Sequence, residues 1–161
     1  MNMKRSTANE PFGVQDLLFM QRALDLAAAA AKMGEVPVGA VVVCRDQVVG
    51  EGANSCIRNF DPTAHAEILA LKAASSAVGN YRIPEAELFV TLEPCTMCAG
   101  AMVHARIKRL IFAATDSRTG AICSCCKTLD AEYHNHSVAW SHGLLADESS
   151  NLLKTFFRER R

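Results

Sequence analysis

Two short stretches, Thr63-Ala64-His65-Ala66-Glu67 and Glu93-Pro94-Cys95-Thr96-Met97-Cys98, contain side chains that could hold a metal and move a proton. A catalytic zinc site takes three protein ligands and leaves a fourth position for water. The imidazole of His65 and the thiolates of Cys95 and Cys98 meet that count. Cys95 and Cys98 are three apart behind a proline, so they fall on one face of a helix's first turn. There, free N–H groups and the positive end of the dipole favour thiolates. His65 and Glu67 are two apart, a spacing that separates side chains in mid-helix but lets both lean into one pocket at a helix's start. Glu67 therefore reads as a proton carrier beside a metal-bound water rather than as a ligand. Zinc lowers the pKa of such a water to about 7. The chemistry this suits is hydrolytic removal of an exocyclic amine from an aromatic ring, because the amine leaves only once it is protonated.

The elements that must position these residues follow from periodicity. A helix is expected from about Val14 to Met33, with Leu17, Leu24, Ala28 and Ala31 at helical spacing and Gly34 as its stop. The β-branched runs Val38–Val43 and Val48–Gly52 flank Arg45-Asp46-Gln47 and read as a hairpin. A second helix should start near Thr63 and run through Ile68, Leu69 and Leu71 to about Ser76. Leu88–Leu92 reads as a buried strand, Cys95 to Ala105 as a helix, and Arg109–Thr115 as a further strand. Val138–Ser141 is a candidate last strand. Leu152, Leu153, Phe156 and Phe157 share one side of a closing helix. Strands alternating with helices give an α/β fold. The expectation is a three-layer α/β/α arrangement whose central sheet of about five strands is mixed because of the early hairpin.

Composition bounds the rest. With 161 residues, half of them hydrophobic, the chain is expected to form a single domain over 1–161, with residues 1–11 as a flexible extension. No apolar run approaches the roughly 20 residues of a membrane span. The charged start lacks the apolar stretch of a secretory signal, so a cytoplasmic location is expected. Seven cysteines in a reducing compartment point to metal or catalysis rather than disulfides. The net charge of zero argues against a bulk nucleic-acid binder. Local basicity survives at Arg106, Lys108 and Arg109 and in Arg158-Glu159-Arg160-Arg161, which read equally well as contacts or as solvated surface.

Taken singly, the pieces have plainer readings: His65 as a capping or core histidine, Cys95 and Cys98 as a structural zinc knuckle. Together, H-x-E and P-C-x-x-C form a known signature of zinc deaminases of nucleobases. From about residue 17 to its end, the chain also resembles the bacterial tRNA adenosine deaminases. The stretches that carry the likeness are Glu35-Val36-Pro37-Val38-Gly39-Ala40, Gly52-Ala53-Asn54, Asp61 to Ile68, Thr91 to Met102, Thr119-Gly120-Ala121 and Phe156-Phe157-Arg158. The resemblance implies a cytidine-deaminase-like fold, a homodimer with one zinc per subunit, and conversion of adenosine to inosine at the wobble position of a tRNA anticodon stem-loop. It further implies that hydroxide on the zinc attacks C6 of a flipped-out adenine while Glu67 shuttles protons and ammonia leaves. Asn54 would then hydrogen-bond the base, Val38 would pack on it and the backbone at Ala66 would contact it. Asp116 would touch the neighbouring nucleotide's backbone. Phe156, Phe157 and Arg158 would meet the anticodon loop, although helical spacing alone makes at least one of the two phenylalanines core.

The chain departs from that family at Cys123-Ser124-Cys125-Cys126. Cys123 and Cys126 form a second C-x-x-C, which with Cys95 and Cys98 could be a four-cysteine zinc ribbon. Such a site would leave no place for water and no task for Glu67. A reduced loop near the site is the preferred reading. His104, His134, His136 and His142 are read as surface or core residues. Two rivals stay open: a deaminase of free guanine, cytosine or a nucleoside, and a noncatalytic zinc-stabilised module.

Overall fold

The computed structural model describes residues 12–161. The extension expected at residues 1–11 lies outside the described residues. Helix α1 (Val14–Lys32) runs into Met33 and Gly34, and Gly34 takes the left-handed conformation at φ 79°. Strands β1 (Gly39–Cys44) and β2 (Gln47–Ala53) form the expected antiparallel hairpin. Its turn is tighter than expected. Gln47 already pairs with Cys44, so Arg45 and Asp46 alone turn the chain, with φ of 50° and 61°. Two successive positive φ angles match the right-handed twist of the strands they join.

The chain continues through a short helix α2 (Cys56–Asn59), α3 (Ala66–Val78), β3 (Ala86–Leu92), α4 (Thr96–Ala105) and β4 (Arg109–Ala114). A single 3₁₀ turn (Thr128–Asp130), β5 (Ala139–His142) and α5 (Ala146–Arg158) complete it. The five strands lie in the order β2-β1-β3-β4-β5. β1 is antiparallel to both neighbours, while β3, β4 and β5 are parallel. The expected mixed sheet is therefore present. α2 and the 3₁₀ turn had no counterpart in the periodicity, because neither is long enough to show one.

Alternation along the strands builds two cores. Val41, Val43, Phe89, Ile111 and Ala113 face α1, where Met20 and Ala23 meet them. Ala40, Val42, Leu88, Val90, Leu110 and Phe112 face the other way, onto Ala70, Cys98 and Met102 of α3 and α4. α5 joins α1 on the first face, where the buried Ser149 hydroxyl donates to the Thr91 carbonyl at 2.5 Å. Helices thus cover both faces of the sheet. Arg109 ties α1 to the start of the parallel strands, bonding Asp16 at 2.6 Å and also Glu87. That end of the sheet is the far end from Leu92 and Ala114, so the basic run at Arg106–Arg109 stands away from the residues of interest.

α3 lies unusually close to β2. A Cβ on Gly52 would come within 2.2 Å of the Ala66 carbonyl oxygen, and one on Gly50 within 2.4 Å of that of Ala70. Both contacts are to backbone, which cannot swing aside. The glycines therefore set the depth of the helix, and with it the place of His65 and Glu67. Gly52→Ala should cost about 1–3 kcal/mol of stability by overpacking and should lower metal content as the start of α3 is pushed outward. Urea unfolding together with metal analysis checks both effects.

Candidate active site

Two helix starts meet at the carboxyl end of the sheet. His65 precedes α3 as an extended residue (φ −70°, ψ 150°), and Cys95 precedes α4 in the same way (φ −78°, ψ 175°). Because His65 is outside the helix and Glu67 within its first turn, residues two apart can share one pocket. Nδ1 of His65 lies 3.6 Å from Cys95 Sγ and 3.5 Å from Cys98 Sγ. A tetrahedral zinc with Zn–N near 2.0–2.1 Å and Zn–S near 2.3 Å would hold nitrogen and sulfur about 3.5 Å apart. The side chains present thus fit such an ion without rearrangement. Among the described residues this is the one His/Cys/Asp/Glu group whose donor atoms all converge.

Electrostatics agree with that reading. The Cys98 thiol donates to Cys95 and holds its pKa down to about 4 against the opposing effect of burial, with His65 assisting. Cys98 is pushed up by the same bond and by burial. The hydrogen bond to Cys95 raises His65, and burial opposes it. Glu67 is only 4% exposed, and burial raises its pKa to about 7. A carboxyl poised near neutrality can both take and give a proton.

Around this centre opens a cleft of about 1170 Å³, larger than the roughly 300–1,000 Å³ of ordinary small-molecule pockets. Val38 and Asn54 line it beside His65 and Glu67. The N–H of Ala66 donates to Asn54 Oδ1 at 2.8 Å. The oxygen being used, Asn54 keeps its two amide donors for a ligand. Ala66 itself is buried and reaches the cleft only through Asn54. Asp116 stands on the opposite wall, and Phe157 and Arg158 stand at the mouth. Phe156 does not join them. Adjacent helical residues point about 100° apart, so Phe156 is 5% exposed and Phe157 48%. The inner ring carries Arg160 at 3.5 Å.

Some positions at the cleft carried no assigned role in the sequence. Glu35 is buried and accepts the N–H groups of Ile57 (3.3 Å) and Arg58 (2.8 Å), fixing α2 beside Asn54. Arg118 and Lys154 join Arg158, Arg160 and Arg161 in a basic rim. In the sequence Glu35 stood out only as the first residue of the stretch Glu35 to Ala40 that carries the family likeness, with no role attached. The four-cysteine ribbon is not formed. Cys123 and Cys126 lie outside the metal-ligating group, Cys126 bonds Ala121 O and Thr128 Oγ1, and no disulfide pairs the described cysteines. His134 and His136 bond the carbonyls of Thr128 (2.9 Å) and Ile107 (2.7 Å), which makes them structural.

Residues 14–161 match the MafB19-like deaminases. The chain belongs to this deaminase family. It is 50% identical over 147 residues to the tRNA-specific adenosine deaminase of Haemophilus influenzae, covering 91% of this chain and 85% of that one. A structure from work on A-to-I editing by tRNA:A34 deaminases superposes with a TM-score of 0.82 at 41% identity, covering 84% of this chain and 99% of the other. Guanine deaminase from Nitrosomonas europaea superposes with a TM-score of 0.74 at 26% identity, covering 93% and 89%. The cytidine-deaminase-like fold expected from the sequence is the one shared with these deaminases. Among the described residues, no helix of this deaminase is long and apolar enough to cross a membrane.

Cys95→Ser and Cys98→Ser should each abolish stoichiometric metal binding, since each removes one of three donors. The double change Cys123→Ser with Cys126→Ser should leave it intact. Elemental analysis of the purified variants decides between a three-ligand centre and a ribbon.

Proposed function

We propose that this deaminase converts adenosine to inosine at the first anticodon position of tRNA, with one zinc ion per subunit held by His65 Nδ1, Cys95 Sγ and Cys98 Sγ. The observation that carries the reading is buried Glu67 beside that donor set, on the floor of a cleft whose mouth is basic and aromatic. The names of the tRNA-specific relatives support the same substrate. When bound, zinc supplies a water of lowered pKa. Glu67 would take one proton of the attacking water at its carboxylate and pass it to the ring nitrogen N1, then take the second from the oxygen now on C6 and pass it to the departing amine. Water and adenosine become inosine and ammonia.

The other side chains bind and orient. The amide donors of Asn54 suit an acceptor nitrogen of the purine, and Val38 packs on its face. Ala66 holds Asn54 in that orientation. Asp116 faces the nucleotide backbone from the opposite wall. Phe157 offers a ring for stacking, braced edge-to-face on Phe156 at 5.3 Å. Arg158 and its basic neighbours meet phosphates. An anticodon loop is single-stranded, so drawing out its base costs less than opening a duplex. Ile57 of α2 and Phe60, which caps it, are 67% and 94% exposed, and an apolar patch of this kind supports a homodimer. A cytoplasmic location goes with a tRNA substrate.

The test uses a short RNA hairpin whose anticodon loop carries adenosine at its first anticodon position. Inosine should form, and Glu67→Ala should lower kcat by at least about 10²–10⁴-fold while zinc content is kept. Turnover of free guanine or cytidine with none of the hairpin would keep the chemistry and overturn the tRNA assignment.

A further inference from the structure

A second carboxylate, Glu93, lies in the cleft wall and bonds none of the metal-ligating side chains. Its side chain is buried at the end of β3. It accepts N–H groups from Asp116 (2.9 Å), Ile122 (3.1 Å), Cys123 (2.8 Å) and Ser124 (2.9 Å), and the Ser124 hydroxyl as well. A carboxylate offers about four lone-pair sites, so these donors saturate it. It has no capacity left for a substrate or a proton transfer. Burial raises its pKa, but the bonds from Cys123, Ser124 and Asp116 outweigh that and bring it down to about 2. Gly120 backs directly onto it: a Cβ there would lie 2.3 Å from Oε2.

The gripped segment runs between β4 and the 3₁₀ turn and has no ladder or helix of its own. Its outer residues, Thr115 to Thr119, line the cleft opposite Asn54. There the Asp116 carboxylate accepts from the Arg118 N–H at 2.9 Å and the Thr119 hydroxyl at 2.9 Å. The bonds thus run without a break from the floor of the loop to the wall that faces a ligand.

We propose that Glu93 is a positioning residue: it fixes the loop 115–124 as the cleft wall and, through Asp116, sets how firmly the substrate is gripped. The kinetic part of its test rests on the RNA reading above, and the rest does not.

Glu93→Gln keeps the volume but turns one acceptor oxygen into a donor facing the Asp116 N–H and the Ser124 hydroxyl. With the hairpin, KM should rise about tenfold while kcat and zinc per chain stay near wild type. In an Asp116→Ala background the same change should add little to KM, because the two act in series. Ser124→Ala, which removes one donor only, should raise KM by less and covers the case in which Glu93→Gln does not fold. Amide exchange should speed up at Asp116, Cys123 and Ser124 in Glu93→Gln, and stay unchanged at Ala99 in α4. Additive effects in the double variant, a loss confined to kcat, or unchanged exchange in the loop would each overturn the proposal. If wild type fails on the hairpin, the tRNA reading falls and the exchange result alone decides this one.

Discussion

The structure is organised around an electrostatic difficulty. Two sulfurs each lie within 3.6 Å of one imidazole nitrogen, beside a buried carboxylate. Water has been removed from two thiols, an imidazole and a carboxyl group, and holding negative charge on them there is costly unless something positive replaces it. The chain answers first with backbone. The starts of α3 and α4 both meet here, and each brings the positive end of its dipole to the site. A divalent cation at these donors would complete the compensation, and the ligand spacings are already suited to one. Gly50 and Gly52 belong to the same solution, since only bare backbone lets α3 come down far enough on β2.

Environment, not residue type, assigns the carboxylates their roles. Glu67 has few donors and much burial, so its pKa rises to about 7 and it can exchange a proton. Glu93 is equally buried but surrounded by N–H groups, so it stays ionised and is fully occupied in holding a loop. Glu35 spends its oxygens on the start of α2. Asp116 turns its own onto the residues that follow it. One carboxylate that titrates near neutrality among several that are bound by donors is the separation that acid–base catalysis requires.

Local order was legible in the sequence and long-range order was not. The hairpin, the strand alternation and the first-turn placement of Cys98 follow from neighbours within a few positions, and the structure has them, whereas Cys95 stands one residue before that helix as its extended cap. The spacing of His65 and Glu67 read correctly because a helix start breaks the usual i,i+2 divergence. Glu93 was invisible as an organiser because its partners lie 23 to 31 positions away. Arg109 read as part of a basic cluster for the same reason: Asp16, its partner across α1, is 93 positions away. Phe156 and Phe157 show the limit from the other side. Helical spacing put both on the closing helix, but only packing against the sheet decides which ring turns inward.

Net charge concealed the feature most relevant to a polyanionic substrate. The chain sums to zero, yet five of its cations gather at the cleft. Away from the cleft two arginines are neutralised locally, Arg22 by Glu51 and Arg109 by Asp16 and Glu87. At the cleft mouth, among the described residues, Arg118, Lys154, Arg158, Arg160 and Arg161 stand in no ion pair. An approaching phosphate therefore meets cations whose charge has not been spent, although the protein as a whole is neutral. The field that steers a substrate is set by which charges are left unpaired and where.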